Sequence, residues 1–575
     1  MKIEKSQSKE KLHPIVIDIL KKRNIEDLDD FFSWDLKTLP NLEGLLDLEL
    51  AAIRIIKAIE KGEEIGVYGD YDVDGTTSCA LLFHFFKSIN KEIHLFQPSR
   101  FVEGYGIHPS SIDDALEKNI TLLISVDCGI SNLETAEYTQ DKDIDLIITD
   151  HHKDAKEYIP KAYAVINPNR RDENQDQLKT LAGVGVAFCL ALKIKNLLES
   201  KGKVVPSIYP LLEFVSIGTI CDLANLNSVN RKLVRHGLKQ LPKTKHPGLR
   251  LFLSQDDTQK QVLESEKCSF HIGPHINSRG RLEHPRDALN LLTNNNPYEC
   301  DTYFKNIVYS NTQRKKIQNT VFNEAFSQVK KSWNEPTPVI NIVYGPDWHE
   351  GVIGIVASKL VETFKVPCIV FTDSADKGII KASARTAGEL DLFKTLDSCS
   401  DLFLKFGGHK AAAGLSMKKE NLPLLKEKVT ELISKIPAIL RTKTHCFDIE
   451  VGMHQLDIEL SRSISKMEPF GLGNPYPILR IKDAYISDYK VLKDKHLKWT
   501  FQARETRSNY NKSLYGLSFF YLEQWNKTSP EELMAKQKSQ ELIIDAKLSV
   551  NHFNGRRSLQ LLVENLELGI SPFIN

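Results

Sequence analysis

The sequence predicts an α/β protein built from a parallel-sheet catalytic domain, a long connecting helix, a smaller α/β domain and a C-terminal OB-type β-barrel. Three observations carry this prediction. From Glu64 to His152, short apolar runs alternate with helical stretches, the signature of a mostly parallel sheet. Residues 300–332 contain neither Gly nor Pro and keep apolar residues at helical intervals (Phe304, Ile307, Val308, Ile317, Val321, Ala325, Val329), which predicts one long helix. Beyond residue 445, β-type runs separated by turns fill the rest of the chain, as in a small barrel.

The elements follow in order. Residues 1–45 are polar with short apolar patches and form a helical lead-in, and "LELAAIRIIKAIEKGE" continues as a helix that meets a Gly near its end. "IGVYG", "EIHLFQP", "TLLISVDCG" and "DLIITDHH" are strands, separated by the helices "TTSCALLFHFFKSI", "SSIDDALEKN" and "NLETAEYTQD". "LAGVGVAFCLALKIKNLLES" is a further helix. Phe188 occupies the third glycine position of a GxGxxG loop, so Gly183 and Gly185 mark a close-packed helix start instead of a nucleotide loop. After the long helix, "VINIVYG", "GVIGIVASKLVETF" and "PCIVF" start a second α/β pattern. The runs "ILRIKDAYISDYKVL", "LKWTFQAR", "LYGLSFF", "ELIIDAKLSVNHF" and "SLQLLVENLEL" supply the barrel. The predicted domains are 1–45 (lead-in), 46–297 (catalytic), 298–333 (connecting helix), 334–444 (second α/β) and 445–575 (barrel).

Bulk properties exclude several classes. At 575 residues the chain exceeds one core. It has no apolar run of membrane-spanning length and no signal-peptide core, which predicts a cytoplasmic protein without a membrane partner. The nine cysteines include no CxxC pair, which argues against zinc ribbons and disulfide frameworks. The balance of 76 Lys+Arg against 75 Asp+Glu leaves a nucleic-acid partner open; basic groups can be local and offset by an acidic site.

The acidic site is visible. Strand "IGVYG" runs into Asp70-Tyr71-Asp72-Val73-Asp74, "LLISVDCG" ends in Asp127, and "LIITDHH" ends in Asp150-His151-His152. Ligands of open parallel sheets bind beyond the carboxyl ends of the strands, so these groups converge. Asp222, after the apolar run "SIGTIC", joins them. A single Asp at a strand end is ordinarily a turn former or helix cap, and Asp74-Gly75 fits such a turn. Several converging carboxylates, however, repel unless a cation sits among them. Carboxylate in excess over imidazole, with no thiolate, favours Mn²⁺ or Mg²⁺.

"DYDVDG", "VDCG", "TDHH" and "CDL", in this order, resemble the four motifs of the DHH phosphoesterase superfamily. "PSRFVEGYG", "LAGVGVAF", "GPHINSRGRL", the DHHA1-like "WHEGVIGIVASKL", "SART" and "FGGHKAAAG", and "EPFGLGNPYP" before the barrel narrow the resemblance to the RecJ family. These are metal-dependent 5′→3′ exonucleases of single-stranded DNA that act in repair and recombination. The resemblance implies two metals held by Asp72, Asp74, Asp127, His151 and Asp222, with Asp127 bridging. Asp70 and Asp150 would support these ligands, and His152 would lie near the scissile phosphate. It also implies a DHH catalytic domain, a DHHA1 domain and an OB-fold domain, and partners such as a single-stranded-DNA-binding protein and a helicase. A monomer is the expectation.

Two positions depart from the family pattern. Tyr68 stands where some relatives carry a metal-binding His, and His275 stands where "GPRIN" would place an Arg, leaving Arg279 and Arg281 nearby. The resemblance further implies that Arg100, Ser383 and Arg385 receive the 5′-phosphate, because guanidinium forks match phosphate oxygens, with His409 and Lys410 as further donors. Seven Lys/Arg against three Asp/Glu lie between Asp488 and Lys512, interleaved with Tyr489, Trp499, Phe501 and Tyr510. Trp499 and Phe501 are the predicted base-stacking residues. Two rival readings carry less of the sequence: a phosphodiesterase of very short or cyclic oligonucleotides, disfavoured by chain length, and a catalytically dead scaffold, disfavoured by the retained acids.

Overall fold

The computed structural model describes residues 12–153, 158–333, 338–504, 513–523, 527–553 and 556–569. The start of the predicted lead-in, the part of the basic stretch that contains Tyr510, and the last six residues of the predicted barrel lie outside the described residues. The chain divides into two compact units: Asp27–Thr312 with Lys466–Tyr476, and Leu12–Glu26 with Gln313–Ser465 and Pro477–Asn575.

The first unit holds a five-stranded sheet ordered β2-β1-β3-β4-β5, where β1 is Glu64–Gly69, β2 His94–Phe96, β3 Ile120–Val126, β4 Asp145–Thr149 and β5 Ala164–Ile166. Every pairing is parallel. Alternate residues of β1 serve two cores. Ile65 and Val67 join helices Leu48–Lys61, Val73–Ser88, Gly183–Ser200 and Leu212–Cys221, while Tyr68 joins the cluster of Phe96, Ile112, Leu123 and Ile148. Burial on both faces explains why these strands are continuous apolar runs. The alternation predicted from the sequence is observed strand for strand, and β5 adds one more.

In the second unit, β6 (Asn341–Gly345), β7 (Cys368–Asp373), β8 (Ile379–Arg385), β9 (Phe403–His409) and β10 (Ala412–Lys418) form a sheet ordered β6-β7-β8-β10-β9. Only the β6–β7 pair is parallel. A seven-stranded sheet follows, ordered β11-β12-β16-β17-β15-β14-β13. It contains β11 (Ile449–Val451), β12 (Leu479–Ile481), β13 (Ala484–Leu492), β14 (His496–Ala503), β15 (Ser513–Ser518), β16 (Glu541–Phe553) and β17 (Arg556–Gly569). The predicted long helix runs over Pro297–Ser332. No helix among the described residues is long and apolar enough to cross a membrane.

Candidate metal centre

Three strand ends build the site. Asp70 follows β1, Asp127 follows β3 and Asp150 follows β4. Asp127 adopts φ 61°, a strained conformation for a non-glycine residue, and its N–H donates to the Thr149 carbonyl at 2.9 Å. Asp72 caps helix Val73–Ser88 by accepting from the Gly75 N–H at 3.1 Å, and the same side chain lies in a group of carboxylates with Asp70 and Asp127. Asp74, on the first turn, accepts from the Gly183 and Val184 N–H groups at 2.6 and 2.9 Å. The start of helix Gly183–Ser200 thus supplies amides to a carboxylate, as helix N-termini do for anions. Asp222 differs from its sequence expectation in one respect: the apolar run before it is helix Leu212–Cys221, and Asp222 is that helix's C-cap residue.

His151 Nε2 sits 3.2 Å from Asp127, 3.8 Å from Asp74 and 3.8 Å from Asp222. Three overlapping sets of ligand atoms lie within 4.8 Å of one another: Asp70, Asp72 and Asp127; Asp127, His151 and His152; Asp74, His151 and Asp222. Asp127 and His151 are each shared by two sets. Asp70 stands among the donors, closer in than the supporting place its sequence position implied.

Asp70 Oδ1, Asp127 Oδ1 and His151 Nε2 are buried without a hydrogen-bond partner. Burial, followed by the neighbouring carboxylates, pushes Asp70, Asp74 and Asp127 well above the usual carboxylate range. Burial and Asp72 raise Asp222 to about 7. Burial, with the neighbouring His152, holds His151 down at about 4, a neutral ligand-ready imidazole. Orphaned oxygens facing a neutral imidazole are what a divalent cation satisfies, so the donor set fits Mn²⁺ or Mg²⁺.

Asp150 plays the supporting part. It accepts from the His151 and His152 N–H groups at 2.7 and 3.1 Å, from Ile130 N–H at 2.9 Å, and lies 2.8 Å from His152 Nδ1. Burial favours the neutral form of both partners of the last pair, raising Asp150 and lowering His152, but their mutual hydrogen bond and attraction outweigh it, leaving Asp150 lowered and His152 raised to about 9. Asn169 donates to the His151 carbonyl at 2.6 Å and Asn167 to the His152 carbonyl at 2.9 Å. These asparagines were missed in the sequence; the "INPN" turn directly after β5 was the available signal.

Arg100 lies 4.5 Å above the Tyr71 ring, and its Nε is buried without a hydrogen-bond partner. Arg279 is engaged by Glu283 at 2.5 Å, Asp287 at 3.0 Å and Ser310 at 3.1 Å. Arg281 follows on the same helix, Gly273–Leu282, whose Gly280 comes close to the Tyr71 backbone. His275 Nδ1–H donates to the His271 carbonyl, 2.6 Å away, in the segment where a π-helical turn (Cys268–Ile272) precedes this helix.

The second unit holds the other predicted phosphate-binding residues. On β8, Arg385 donates to Ser383 Oγ at 3.0 Å. A Cβ at Gly354, near the start of helix Glu350–Phe364, would stand 3.0 Å from Ser383 Oγ and 3.1 Å from Arg385 Nη2. Glycine keeps that space open beside a helix start. "FGGHKAAAG" forms the β9–β10 hairpin, with His409 and Lys410 exposed at its turn and Lys410 paired to Glu389 at 2.8 Å. Trp348 packs in a core and donates to Glu324 at 2.7 Å.

The base-stacking expectation is corrected. Trp499 and Phe501 are both 0% exposed, and Trp499 Nε1 donates to buried Ser518 at 2.8 Å. With Leu497 they line the inward face of β14. The outward face presents Lys498, 4.0 Å from the ring of Tyr515, which is 51% exposed.

Comparison with known proteins follows this geometry. The DHH family N-terminal domain matches residues 64–219, the DHHA1 domain residues 337–435 and the RecJ OB domain residues 447–565. The single-stranded-DNA-specific exonuclease RecJ of Escherichia coli is 30% identical over 91% of this chain and 91% of its own length. That of Bacillus subtilis is 31% identical over 90% of this chain, which spans only 62% of that relative's length. The crystal structure of RecJ from Thermus thermophilus in complex with Mn²⁺ superposes with a TM-score of 0.79 at 25% identity, covering 97% of this chain and 76% of the other.

Proposed function

This chain belongs to the RecJ family, and on that premise we propose that it hydrolyses single-stranded DNA from the 5′ end, releasing mononucleotides in a metal-dependent reaction. The observation that carries the reading is Asp127, strained at the end of the central strand and shared between two sets of cation donors. The E. coli and B. subtilis relatives are named for the same substrate and the Thermus structure holds Mn²⁺.

Asp72, Asp74, Asp127, His151 and Asp222 would hold two divalent ions, and Asp70, grouped with Asp72 and Asp127, is a further donor. When bound, such a pair neutralises charge on the phosphoryl oxygens and makes a nucleophile available at neutral pH. The chain's own residues do the rest. Asp150 and the two asparagines fix both histidines, and His152, cationic through Asp150, offers charge to the phosphate. Arg100 and Arg281 present guanidinium near Tyr71 in the first unit. Ser383 and Arg385, beside Gly354, form a phosphate cradle in the second, and His409 and Lys410 are exposed donors on the hairpin. Arg279, engaged by two carboxylates, holds its helix in place. Base stacking moves from the buried Trp499 and Phe501 to Tyr515 with Lys498.

The domain boundaries 46–297, 298–333, 334–444 and 445–575 are our reading, supported by the three matched ranges. The nine free cysteines suit a reducing cytoplasm. A monomer assisted by a single-stranded-DNA-binding protein and a helicase completes the proposal, on family grounds.

The test is an oligonucleotide labelled at either end, incubated with Mn²⁺ beside a blunt duplex and the Asp127→Ala variant. Shortening from the 5′ end of the single strand alone, abolished by Asp127→Ala, is expected. Degradation from the 3′ end, or equal digestion of duplex, overturns the reading.

A further inference from the structure

Tyr68, the residue at the position where relatives can carry a metal-binding histidine, points away from the donor cluster. It is 1% exposed in the core of Phe96, Ile107 and Ile112, and its hydroxyl donates to the Gly106 carbonyl at 2.9 Å. Gly106 and Gly104 have φ of +90° and +85°, so the chain turns sharply on both sides of Tyr105. A Cβ on Gly106 would meet the Asn132 side chain at 2.7 Å. Asn132 in turn donates to the Ile107 carbonyl at 3.3 Å, and Thr135 does so at 3.0 Å. The turn is therefore clamped from β1 and from the loop after β3.

What the clamped turn presents is Tyr105. Its ring is half exposed. Its hydroxyl lies 3.0 Å from Nδ1 and 3.2 Å from Nε2 of His152. The rings meet edge to face at 5.5 Å, and the same hydroxyl reaches the Asp127 carbonyl at 3.5 Å. Asp150 Oδ1 lies 2.8 Å from Nδ1 of the same ring. An imidazole with one partner can swing about its Cβ–Cγ bond; a second partner restricts that swing.

We propose that Tyr105 is a positioning residue for His152, its hydroxyl fixing the imidazole plane at the donor cluster, and that Tyr68 is the anchor that places Tyr105. The inference rests on the phosphodiesterase reading for its kinetic consequence, but not for the contact itself. Tyr68 and Tyr105 thus form a two-tyrosine strut from the sheet core to the site, in a chain that lacks a histidine at position 68.

The experiment has two arms on the full-length protein. In the first, Tyr105→Phe keeps the ring and removes only the hydroxyl. The expected result is a fall of about 10-fold in kcat on a single-stranded oligonucleotide, with unchanged KM and unchanged Mn²⁺ affinity by calorimetry. The same substitution in a His152→Ala background has no further effect, as non-additivity requires when one residue acts through another. Tyr68→Phe gives a smaller fall of the same type. An undiminished 10-fold loss in the His152→Ala background, or a parallel loss of Mn²⁺ affinity, overturns the proposal. In the second arm, imidazole ¹⁵N spectra without substrate report the His152 ring directly. Tyr105→Phe shifts the His152 nitrogens and leaves those of His84 in place; unshifted His152 signals overturn the proposal. If the wild-type protein fails to cleave DNA while the spectra shift, the enzymatic reading fails and the strut stands.

Discussion

Gly183→Ala tests whether the packing of a helix start fixes the metal ligands. The added Cβ would stand 2.7 Å from Asp127 Cβ, 2.7 Å from Asp127 Oδ1 and 2.9 Å from Asp127 Cγ. Asp127 cannot yield easily: its φ is already +61° and its N–H is bound to Thr149. Either Asp127 turns away from the shared position or the helix backs off and withdraws the Gly183 and Val184 amides from Asp74. Overpacking of this kind costs about 1–3 kcal/mol, or roughly 2–6 °C in the melting of a unit this size. The displaced ligand costs more: outer contacts to metal ligands are typically worth about 10–100-fold in affinity or activity. We expect Mn²⁺ affinity, titrated by calorimetry or electron paramagnetic resonance, to fall at least about 10-fold. Gly185→Ala is the control. Its Cβ meets the Leu181 side chain, Cδ2 at 3.0 Å and Cβ at 3.4 Å, where a rotamer change can yield, and the helix gains up to about 1 kcal/mol from the alanine. Wild-type Mn²⁺ affinity in Gly183→Ala would refute the reasoning, because Asp127 would then not depend on the bare glycine beside it.

Three further outcomes are expected. Arg385→Ala should raise KM for 5′-phosphorylated ends about 10-fold more than for 5′-hydroxyl ends, as loss of a charged hydrogen bond of about 1.5–3 kcal/mol requires; equal effects remove the cradle at Ser383 and Gly354. Trp499, buried in the barrel core, should resist acrylamide quenching and keep its emission when single-stranded DNA binds, whereas Tyr515→Ala should weaken binding by about 1–3 kcal/mol; quenching of Trp499 by DNA contradicts the inward register of β14. Burial holds His84 at about 4 and His246 at about 3, and pushes Glu213, 3.1 Å from His246, up to about 8. The two histidines bind fewer protons folded than unfolded, so the stability they carry is present above pH 6.5 and lost as pH falls towards 4. Glu213 holds its proton folded at pH values where the unfolded chain has lost it, so its contribution is full below pH 4.5 and lost as pH rises through 8. Thermal melts should therefore decline on both sides, and Glu213→Gln should flatten the alkaline decline alone.

Much of the site was legible because its chemistry sits at element ends. Asp70, Asp127 and Asp150 each follow an apolar strand, and parallel topology alone brings successive strand ends together. Asp222 was found through the apolar run before it, which the structure makes a helix. Gly183 was correctly taken as a close-packing residue, but that its amide serves Asp74 is a fact of tertiary contact. The same holds for Asn167 and Asn169, which act on backbone carbonyls and leave no side-chain pattern. Trp499 and Phe501 show how composition misleads. The two rings share a strand face with Leu497, and period-two apolar positions mark the core side. The alanines of "FGGHKAAAG" favour a helix in isolation, yet pairing with β8 and β9 holds them in β10.

The amides that hold Asp74 have a consequence for how the protein lives with its ions. A carboxylate already satisfied by a helix start, beside Asp127 and Asp222, which burial pushes towards their protonated forms, leaves the polypeptide able to finish folding before any ion is loaded. An ion held there would then be replaceable, and its removal by chelation would leave the scaffold intact. Turnover in such a protein follows the supply of free divalent ions in its surroundings, so the choice between manganese and magnesium is made by the medium as well as by the chain.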